Sequence, residues 1–159
     1  MKLKENENIP DSKVFILENG KAAKKDIVDF LKDKKVIIFG LPGAYTSVCS
    51  AKHLPGYIKS YHDIKNKGVD IISCMAVNDP HVMRAWGLAN EVEGKIDMLS
   101  DSDCSVSQSL GLDMNFGRIM GHRSRRFAMI VDDNVIRKSF IEEVGAFEVS
   151  TAENILKNL

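Results

Sequence analysis

The chain has 159 residues, of which 44% are hydrophobic, which is enough for one well-packed domain and too few for two. We therefore predict a single domain over residues 1–159, with a polar lead-in over residues 1–10. The 22 basic and 22 acidic side chains cancel, so no overall field favours nucleic acid, an anionic membrane or an acidic substrate. No segment approaches the ~18 apolar residues that span a bilayer, and the N-terminus lacks the apolar core of a signal peptide. We expect a soluble protein.

The cysteine and histidine content adds two expectations. Three cysteines, an odd number, form no closed disulfide framework and indicate a reducing compartment. We expect a cytoplasmic location, or an organelle if a transit peptide has been removed. The histidines show no metal-ligand spacing, so we expect no metal.

The first third of the chain predicts two strands and a helix. Residues 14–17 form a short apolar run, and Asn19-Gly20 marks a turn. Residues 22–31 follow as a short amphipathic helix. Residues 36–39 predict a buried strand that ends in a turn rich in Gly and Pro.

The rest of the chain continues the alternation of strands and helices. The further predicted elements are strands over residues 69–77 and 96–99, helices from Asn78 to about residue 90 and over residues 105–110, a hairpin over residues 126–131 and 135–141, and a final helix from Thr151. Strands separated by helices imply parallel pairing, and the hairpin implies an antiparallel edge. We predict an α/β, thioredoxin-like fold with a mixed central β-sheet and helices on both faces.

Cys49 is the strongest candidate for chemistry. It lies just past the Gly/Pro turn, where apolar residues begin to recur every three or four positions. At a helix start, a thiol faces unpaired N–H groups and the positive end of the helix dipole. Such positions lower a cysteine pKa from about 8.5 to roughly 3.5–7.5. The alternative is a small buried hydrophobe.

The segment PGAYTSVCSAKHLPGY, with Pro42, Thr46 and Cys49 at fixed spacing, resembles the active-site signature of the peroxiredoxins, and more narrowly of their type II branch. Five further blocks are similar to that branch: VIIFGLPGAYT, ISCMAVNDPHVMRAW, LGLDMNFG, GHRSRRFAMIVDDNVI and STAENILKNL. The resemblance runs from about residue 10 to the C-terminus. It implies a thiol peroxidase that reduces hydrogen peroxide and small alkyl hydroperoxides through a cysteine sulfenic acid.

The resemblance also implies roles for individual residues. Cys49 is the peroxidatic thiolate, and Thr46 hydrogen-bonds both the sulfur and the substrate oxygen. The backbone N–H groups of Val48 and Cys49 hold the peroxide. Arg126 lowers the thiol pKa and binds the peroxide oxygens with its fork of donors, and Pro42 shields the sulfenate. Since the reaction needs preorganised donors, we expect no metal or organic cofactor.

Arg126 belongs to a basic run with Arg123 and Arg125, and a solvated position is the alternative for its side chain. It begins an apolar strand, however, and shares a face with Ala128 and Ile130. Strand alternation therefore predicts that Arg126 points inward. A phosphate or nucleic-acid site is disfavoured by the zero net charge and the lack of interleaved aromatic residues.

The other cysteines are expected to be accessory thiols at most. Cys74 lies in a predicted core strand, and Cys104 begins a predicted surface helix. Ser150 and Thr151 stand where some relatives carry a resolving cysteine. We therefore expect one-cysteine behaviour, with glutathione and glutaredoxin, or thioredoxin, as the external reductant.

Four further expectations concern His53, the use of the thiol, Ser47 and the oligomeric state. His53, four residues after Cys49, is either a surface residue, an aid to the thiolate or the base of an acyl hydrolase. The thiol could also serve a redox relay in which peroxide turnover is secondary. Ser47 replaces the proline usual after Thr46 in this family, which loosens the loop. The resemblance also implies a homodimer that pairs through the active-site loop and the helix after Asn78.

Overall fold

The computed structural model describes residues 5–159, except for the side chain of Cys49. Within residues 5–159, nine strands form two sheets: Lys13–Glu18 (β1), Lys21–Asp26 (β2), Lys35–Gly40 (β3), Ile71–Ala76 (β4), Ile96–Ser100 (β5), Asp113–Asn115 (β6), His122–Ser124 (β7), Phe127–Asp132 (β8) and Val135–Ile141 (β9). The α-helices are Ile27–Leu31 (α1), Leu54–Lys59 (α2), Tyr61–Asn66 (α3), Pro80–Ala89 (α4), Ser105–Ser109 (α5), Gly117–Met120 (α6) and Ala152–Asn158 (α7). A π-helical turn, Cys49–His53, precedes α2.

The central sheet has seven strands in the order β2-β1-β5-β4-β3-β8-β9. Strands β3, β4 and β5 are parallel, and the flanking pairs are antiparallel. The mixed sheet predicted from the alternation of strands and helices is therefore confirmed. No helix in the described part of the chain has the length and apolar character needed to cross a bilayer.

Strand register brings distant segments to one edge of the sheet. Gly40, at the end of β3, pairs with Phe127, at the start of β8, and Phe127 pairs with Ile141, at the end of β9. Gly40 also pairs with Met75 in β4. Four segments therefore meet at this edge: the loops that follow β3, β4 and β9, and the residue that precedes β8.

Two apolar layers cover the two faces of the sheet. Phe39, Tyr57 and Trp86 belong to the layer formed with α2, α4 and α7. Leu99 and Leu110 belong to the opposite layer, with α1 and α5. Because apolar side chains cover both faces, the central strands show little alternation of polar and apolar residues.

The helix predicted over residues 22–31 is wrong in its first half. Residues 21–26 form β2, which pairs with β1 through the turn at Asn19 and Gly20, and only Ile27–Leu31 is helical. Both turn residues have positive φ, 50° and 78°. An Asn-Gly pair with this backbone favours a tight hairpin. The hairpin therefore forms in place of the helix that the spacing of apolar residues predicts.

Part of the predicted polar lead-in pairs with the rest of the fold. The Asn6 N–H donates to Ile136 O at 2.6 Å, and the Ile9 N–H donates to Asn134 O at 2.7 Å. Ile9 itself is buried. Residues 6–9 therefore lie along the start of β9, whereas residues 1–4 of the predicted lead-in lie outside the described residues.

Candidate active site

The loop that follows β3 is fixed by hydrogen bonds to the next strand and within itself. The Ala44 N–H donates to the side-chain oxygen of Asn78 at 2.8 Å, just beyond the end of β4. The Thr46 hydroxyl donates to Gly43 O at 2.8 Å. The Ser50 N–H donates to Thr46 O at 2.9 Å, which closes the first helical turn. The loop therefore enters the helix in a defined geometry.

Arg123 holds the middle of this loop. Its Nη1 donates to Pro42 O at 3.0 Å. A Cβ atom on Gly43 would lie 2.2 Å from the same nitrogen, which is far inside van der Waals contact. A side chain at position 43 would therefore force the end of the Arg123 side chain to shift.

Cys49 lies where the sequence predicted, at the start of the helical segment. It is the first residue of the π-helical turn, and turns of this kind are frequent at functional sites. Val48 precedes it, and amides in a first helical turn have no acceptor within the helix. The side chain of Cys49 lies outside the described part of the chain, so its predicted role stays a prediction.

The predicted inward orientation of Arg126 agrees with the structure. Arg126 immediately precedes β8 and is half-buried on the sheet face to which Ala128 and Ile130 contribute. Its Nη1 lies 2.9 Å from Nδ1 of His53. Its guanidinium carbon lies 5.8 Å from the centre of the Phe147 ring. These contacts direct the guanidinium toward the helical turn that contains Cys49.

His53 is 1% exposed, so the surface position expected as one alternative is wrong. Its Nε2 lies 3.2 Å from Ser150 O, and its Nδ1 faces Arg126. Burial, and then the charge of Arg126, lower the pKa of His53 to about 3. The imidazole is therefore neutral near pH 7, and both ring nitrogens have partners.

A cleft of about 300 Å³ lies at this edge of the sheet. Three of the residues predicted to form the site, Pro42, Val48 and Arg126, line it together. Phe116 and Val144 contribute apolar walls from two other loops. The cleft therefore combines a cationic donor with an apolar surface at the start of the Cys49 helix.

Glu142 holds the loop that contains Ser150, next to His53, through several hydrogen bonds. Its carboxylate accepts hydrogen bonds from the Ser150 N–H at 2.9 Å and the Ser150 hydroxyl at 2.7 Å, and from the amides of Glu148 and Val149. Burial is the largest single influence and raises its pKa, but the hydrogen bonds, those from Ser150 first, leave the pKa of Glu142 below its ordinary value. The ionised carboxylate therefore fixes the Ser150 carbonyl that His53 contacts.

The two accessory thiols are both buried. Cys74 lies in β4, in the same apolar layer as Tyr57. Cys104 precedes α5 and is 7% exposed, so the surface position predicted for it is wrong. Burial, and then the charges of Asp101 and Asp113, raise the pKa of Cys104 to about 11. Cys104 is therefore a poor thiolate in the folded protein.

Sequence reasoning missed Glu142, Arg123 and the contact between His53 and Arg126. The position of Glu142 just after a predicted apolar strand is only a weak signal that its carboxylate is buried and hydrogen-bonded. Arg123 belongs to the basic run Arg123, Arg125 and Arg126, but nothing in the sequence indicates that its guanidinium donates to Pro42 O. These roles depend on loops that meet only in the folded protein.

Comparison with known proteins agrees with the site. The family model described as Redoxin matches residues 4–156. Peroxiredoxin-2B of Arabidopsis thaliana is 40% identical over 153 residues, covering 95% of this chain and 94% of the relative. The crystal structure of reduced Prx3 from Vibrio vulnificus in complex with H2O2 has a TM-score of 0.95 at 39% identity and covers 98% of both chains. A Plasmodium falciparum antioxidant protein, a 1-Cys peroxiredoxin, has a TM-score of 0.90 at 32% identity, with 98% of this chain and 99% of that chain covered.

These relatives and the thioredoxin-like sheet define the class: the chain belongs to the Redoxin family. Within that family it is a peroxiredoxin of the type II branch, a thiol-dependent peroxidase with an antioxidant function.

Proposed function

We propose that this enzyme reduces hydrogen peroxide and small organic hydroperoxides with Cys49 as the peroxidatic thiolate. The observation that carries the proposal is that Pro42 and Val48 from one loop, and Arg126 from a distant part of the sequence, line one cleft next to the helical turn that contains Cys49. The reduced Prx3 of Vibrio vulnificus was crystallised in complex with H2O2, and this complex of a relative supports the choice of substrate.

The proposed first step is an in-line displacement. The Cys49 thiolate attacks one peroxide oxygen, an S–O bond forms, the O–O bond breaks, and the second oxygen leaves as hydroxide or alkoxide. The sulfur is oxidised by two electrons to a sulfenic acid, and the peroxide is reduced. Arg126 and the amides near Val48 stabilise the charge that moves along this axis.

Thr46 acts as a hydrogen-bond acceptor in this proposal. A carbonyl oxygen only accepts, so the Thr46 hydroxyl proton points to Gly43 O, and the lone pairs of Oγ1 remain to accept a peroxide O–H. In this rotamer Thr46 does not donate to the sulfur, in contrast to the role that the family resemblance implies. The O–H that Thr46 accepts belongs to the oxygen that the thiolate attacks, and its proton stays on that oxygen as the sulfenic acid hydroxyl.

The apolar walls of the cleft support organic hydroperoxides as substrates. Met114, Phe116 and Val144 line it together with Arg126. An alkyl or aryl group placed against these side chains leaves the O–O bond close to the guanidinium. The contact removes apolar surface from water, which favours binding by about 25 cal/mol per Å².

The surroundings of the other thiols support one-cysteine behaviour. By the family resemblance, Ser150 and Thr151 stand in the segment where some relatives carry a resolving cysteine, and Ser150 is buried against Glu142. Cys74 and Cys104 are buried as well. The sulfenic acid then reacts with an external thiol to give a mixed disulfide and water, and a second thiol releases Cys49. We propose glutathione with glutaredoxin as the reductant, and thioredoxin as the alternative.

One experiment tests the enzyme and the one-cysteine scheme. Reduced protein is mixed with one equivalent of peroxide, and intact mass is followed with time. We expect one added oxygen on the wild type and on Cys74→Ser/Cys104→Ser, and no addition on Cys49→Ser. Oxidation of Cys49→Ser at the wild-type rate would overturn the assignment of Cys49, and an intramolecular disulfide would overturn the one-cysteine scheme.

Steady-state assays separate the reductants and the relay alternative. NADPH consumption is measured with glutathione, glutathione reductase and glutaredoxin, and separately with thioredoxin and its reductase. Sustained turnover in the first assay supports the proposal. Rapid sulfenate formation with no turnover in either assay would favour a relay instead. His53 is not available as the general base of an acyl hydrolase, because both of its ring nitrogens already have hydrogen-bond partners.

We propose that the enzyme is a homodimer. Tyr45, in the active-site loop, is 58% exposed, and Leu88, in α4, is 49% exposed. The rings of Tyr45 and Trp86 are 6.4 Å apart, so the loop packs against α4, and each of the two elements carries an exposed apolar side chain. Sedimentation at tens of micromolar is expected to show the dimer, and a monomer for Tyr45→Glu. A wild-type monomer would contradict the proposal.

The odd cysteine count supports a reducing location, and we propose the cytoplasm. Relatives include chloroplastic and mitochondrial forms, so an organelle is the alternative. Immunoblotting of fractionated source cells distinguishes the two.

A further inference from the structure

The protonation of His53 follows from its two partners. Arg126 Nη1 lies 2.9 Å from His53 Nδ1, and Ser150 O lies 3.2 Å from His53 Nε2. A guanidinium only donates and a carbonyl only accepts. Nδ1 is therefore the unprotonated acceptor and Nε2 carries the proton, so the ring is neutral.

Several contacts fix the orientation of this imidazole. The Tyr57 hydroxyl donates to the same Ser150 carbonyl at 2.7 Å, and Glu142 holds the Ser150 amide and hydroxyl. The His53 ring also packs against Phe39, with ring centres 5.0 Å apart, and against the edge of Phe147, 5.2 Å away. The acceptor that meets Arg126 is therefore part of a rigid, buried unit.

The neutrality of His53 determines how much charge the Arg126 guanidinium keeps. A carboxylate paired with Arg126 would cancel the charge of the guanidinium, whereas His53 orients the guanidinium without neutralising it. A positive charge that is both oriented and uncancelled by this contact attracts a thiolate and a polarised peroxide more strongly.

We propose that His53 is the positioning residue of Arg126: it aims the guanidinium at the cleft through a neutral hydrogen-bond acceptor and so preserves its charge for the reaction. The inference rests on the proposed role of Arg126 in peroxide reduction, and it adds a residue that acts through Arg126 and not on the substrate.

Three substitutions test the proposal. His53→Phe keeps a ring of similar size and removes the acceptor, His53→Gln supplies a neutral acceptor, and His53→Glu supplies an anionic one. The rate constant for peroxide is measured by stopped flow, and the Cys49 pKa by thiolate absorbance in the Cys74→Ser/Cys104→Ser background. His62→Phe, at an exposed position, controls for the type of substitution.

We expect His53→Phe and His53→Glu to lower the rate constant by about 10- to 100-fold, the scale of a small misplacement of a catalytic group. Both are expected to raise the Cys49 pKa, and His53→Gln to recover most of the loss. Folded His53→Phe protein with the wild-type rate constant and Cys49 pKa would overturn the proposal.

Arg126→Ala separates this proposal from the proposed function. If Arg126→Ala is slow and adding His53→Phe to it causes no further loss, the two residues act as one unit. If Arg126→Ala is slow but His53→Phe is not, only the positioning role fails. A wild-type rate in Arg126→Ala would overturn the role of Arg126 itself.

A measurement on the unmodified protein covers the case in which His53→Phe does not fold. Nitrogen NMR of labelled protein at pH 7 is expected to show an unprotonated Nδ1 and a protonated Nε2 for His53. A protonated Nδ1 would exclude the hydrogen bond from Arg126 and overturn the proposal.

Discussion

Arg123 and Pro42 are joined by a hydrogen bond of 3.0 Å although 81 positions separate them in the chain. The Nε of the same guanidinium donates to Met120 O at 2.6 Å. One side chain therefore connects the segment between β6 and β7 to the active-site loop. The loop conformation depends on a part of the protein that is remote in sequence.

Arg123→Lys is expected to lower the rate constant for peroxide by about 10-fold, because a single ammonium group does not reproduce two hydrogen bonds in a fixed fork. Gly43→Ala is expected to have a similar effect, since its methyl group would displace Nη1 of Arg123. Stopped-flow oxidation checks both, with the exposed Arg118→Lys as control. Unchanged rates in Arg123→Lys and Gly43→Ala would show that the loop keeps its geometry without Arg123.

Stability is expected to fall in mild acid because of His53, whose pKa is lowered from 6.5 to about 3. Between these values the unfolded chain binds more protons than the folded one, so the free energy of unfolding decreases as pH falls. From pH 7 to pH 5 the wild type should lose about 2 kcal/mol more than His53→Gln. Urea unfolding at the two pH values measures this, and His62→Gln should behave like the wild type. Equal losses in the wild type and His53→Gln would contradict the depressed pKa.

Cys104 is expected to be unreactive in the folded protein. With a pKa of about 11, its thiolate fraction at pH 8 is about 0.001. In a Cys49→Ser/Cys74→Ser background, maleimide should label Cys104 at least about 100-fold more slowly in the native state than in urea. Cys104→Ser should keep the wild-type turnover. Fast native labelling together with slow turnover of that variant would instead assign Cys104 to resolution.

Phe116→Ala is expected to discriminate between substrates. Removing an apolar wall of the cleft should lower kcat/KM for cumene hydroperoxide about 10-fold more than for hydrogen peroxide, since one apolar contact gives about 1–3 kcal/mol of discrimination. Ile119→Ala, three residues along the chain and 95% exposed, is the control. A proportional loss for both substrates would place the organic group elsewhere.

Glu142→Gln is expected to reduce the free energy of unfolding at pH 7 by about 1–3 kcal/mol, because a buried carboxylate that accepts several hydrogen bonds is replaced. The folded pKa of Glu142 is depressed, so its contribution is present above the ordinary carboxyl pKa and is lost as pH falls through the folded value. Urea unfolding at pH 7 and pH 3.5 measures the difference, and the exposed neighbour variant Glu143→Gln is the control. A difference that is the same at both pH values would exclude this titration.

Sequence patterns predicted those parts of the site that depend on local structure. The helix start at Cys49 follows from a Gly/Pro turn before an apolar repeat, and the inward Arg126 follows from the alternation of residues 126, 128 and 130 along one strand. Both are properties of neighbours in the chain.

The remainder depends on contacts across the fold. His53 was unassigned because its partners, Arg126 and Ser150, come from two loops that meet at one sheet edge only after β8 and β9 have paired. Apolar spacing alone predicts a helix at β2, whereas the Asn19-Gly20 turn pairs this segment with β1.

The two borders of the central sheet have a consequence for how copies of this enzyme associate. β2, at one border, carries Lys21, Lys24 and Lys25, and at the other border residues 6–9 cover the beginning of β9. The Glu5 carboxylate also accepts the Ser139 amide at 3.1 Å. Charged or occupied borders resist the addition of a foreign strand. The two borders of the sheet therefore oppose edge-to-edge polymerisation of this protein into fibres.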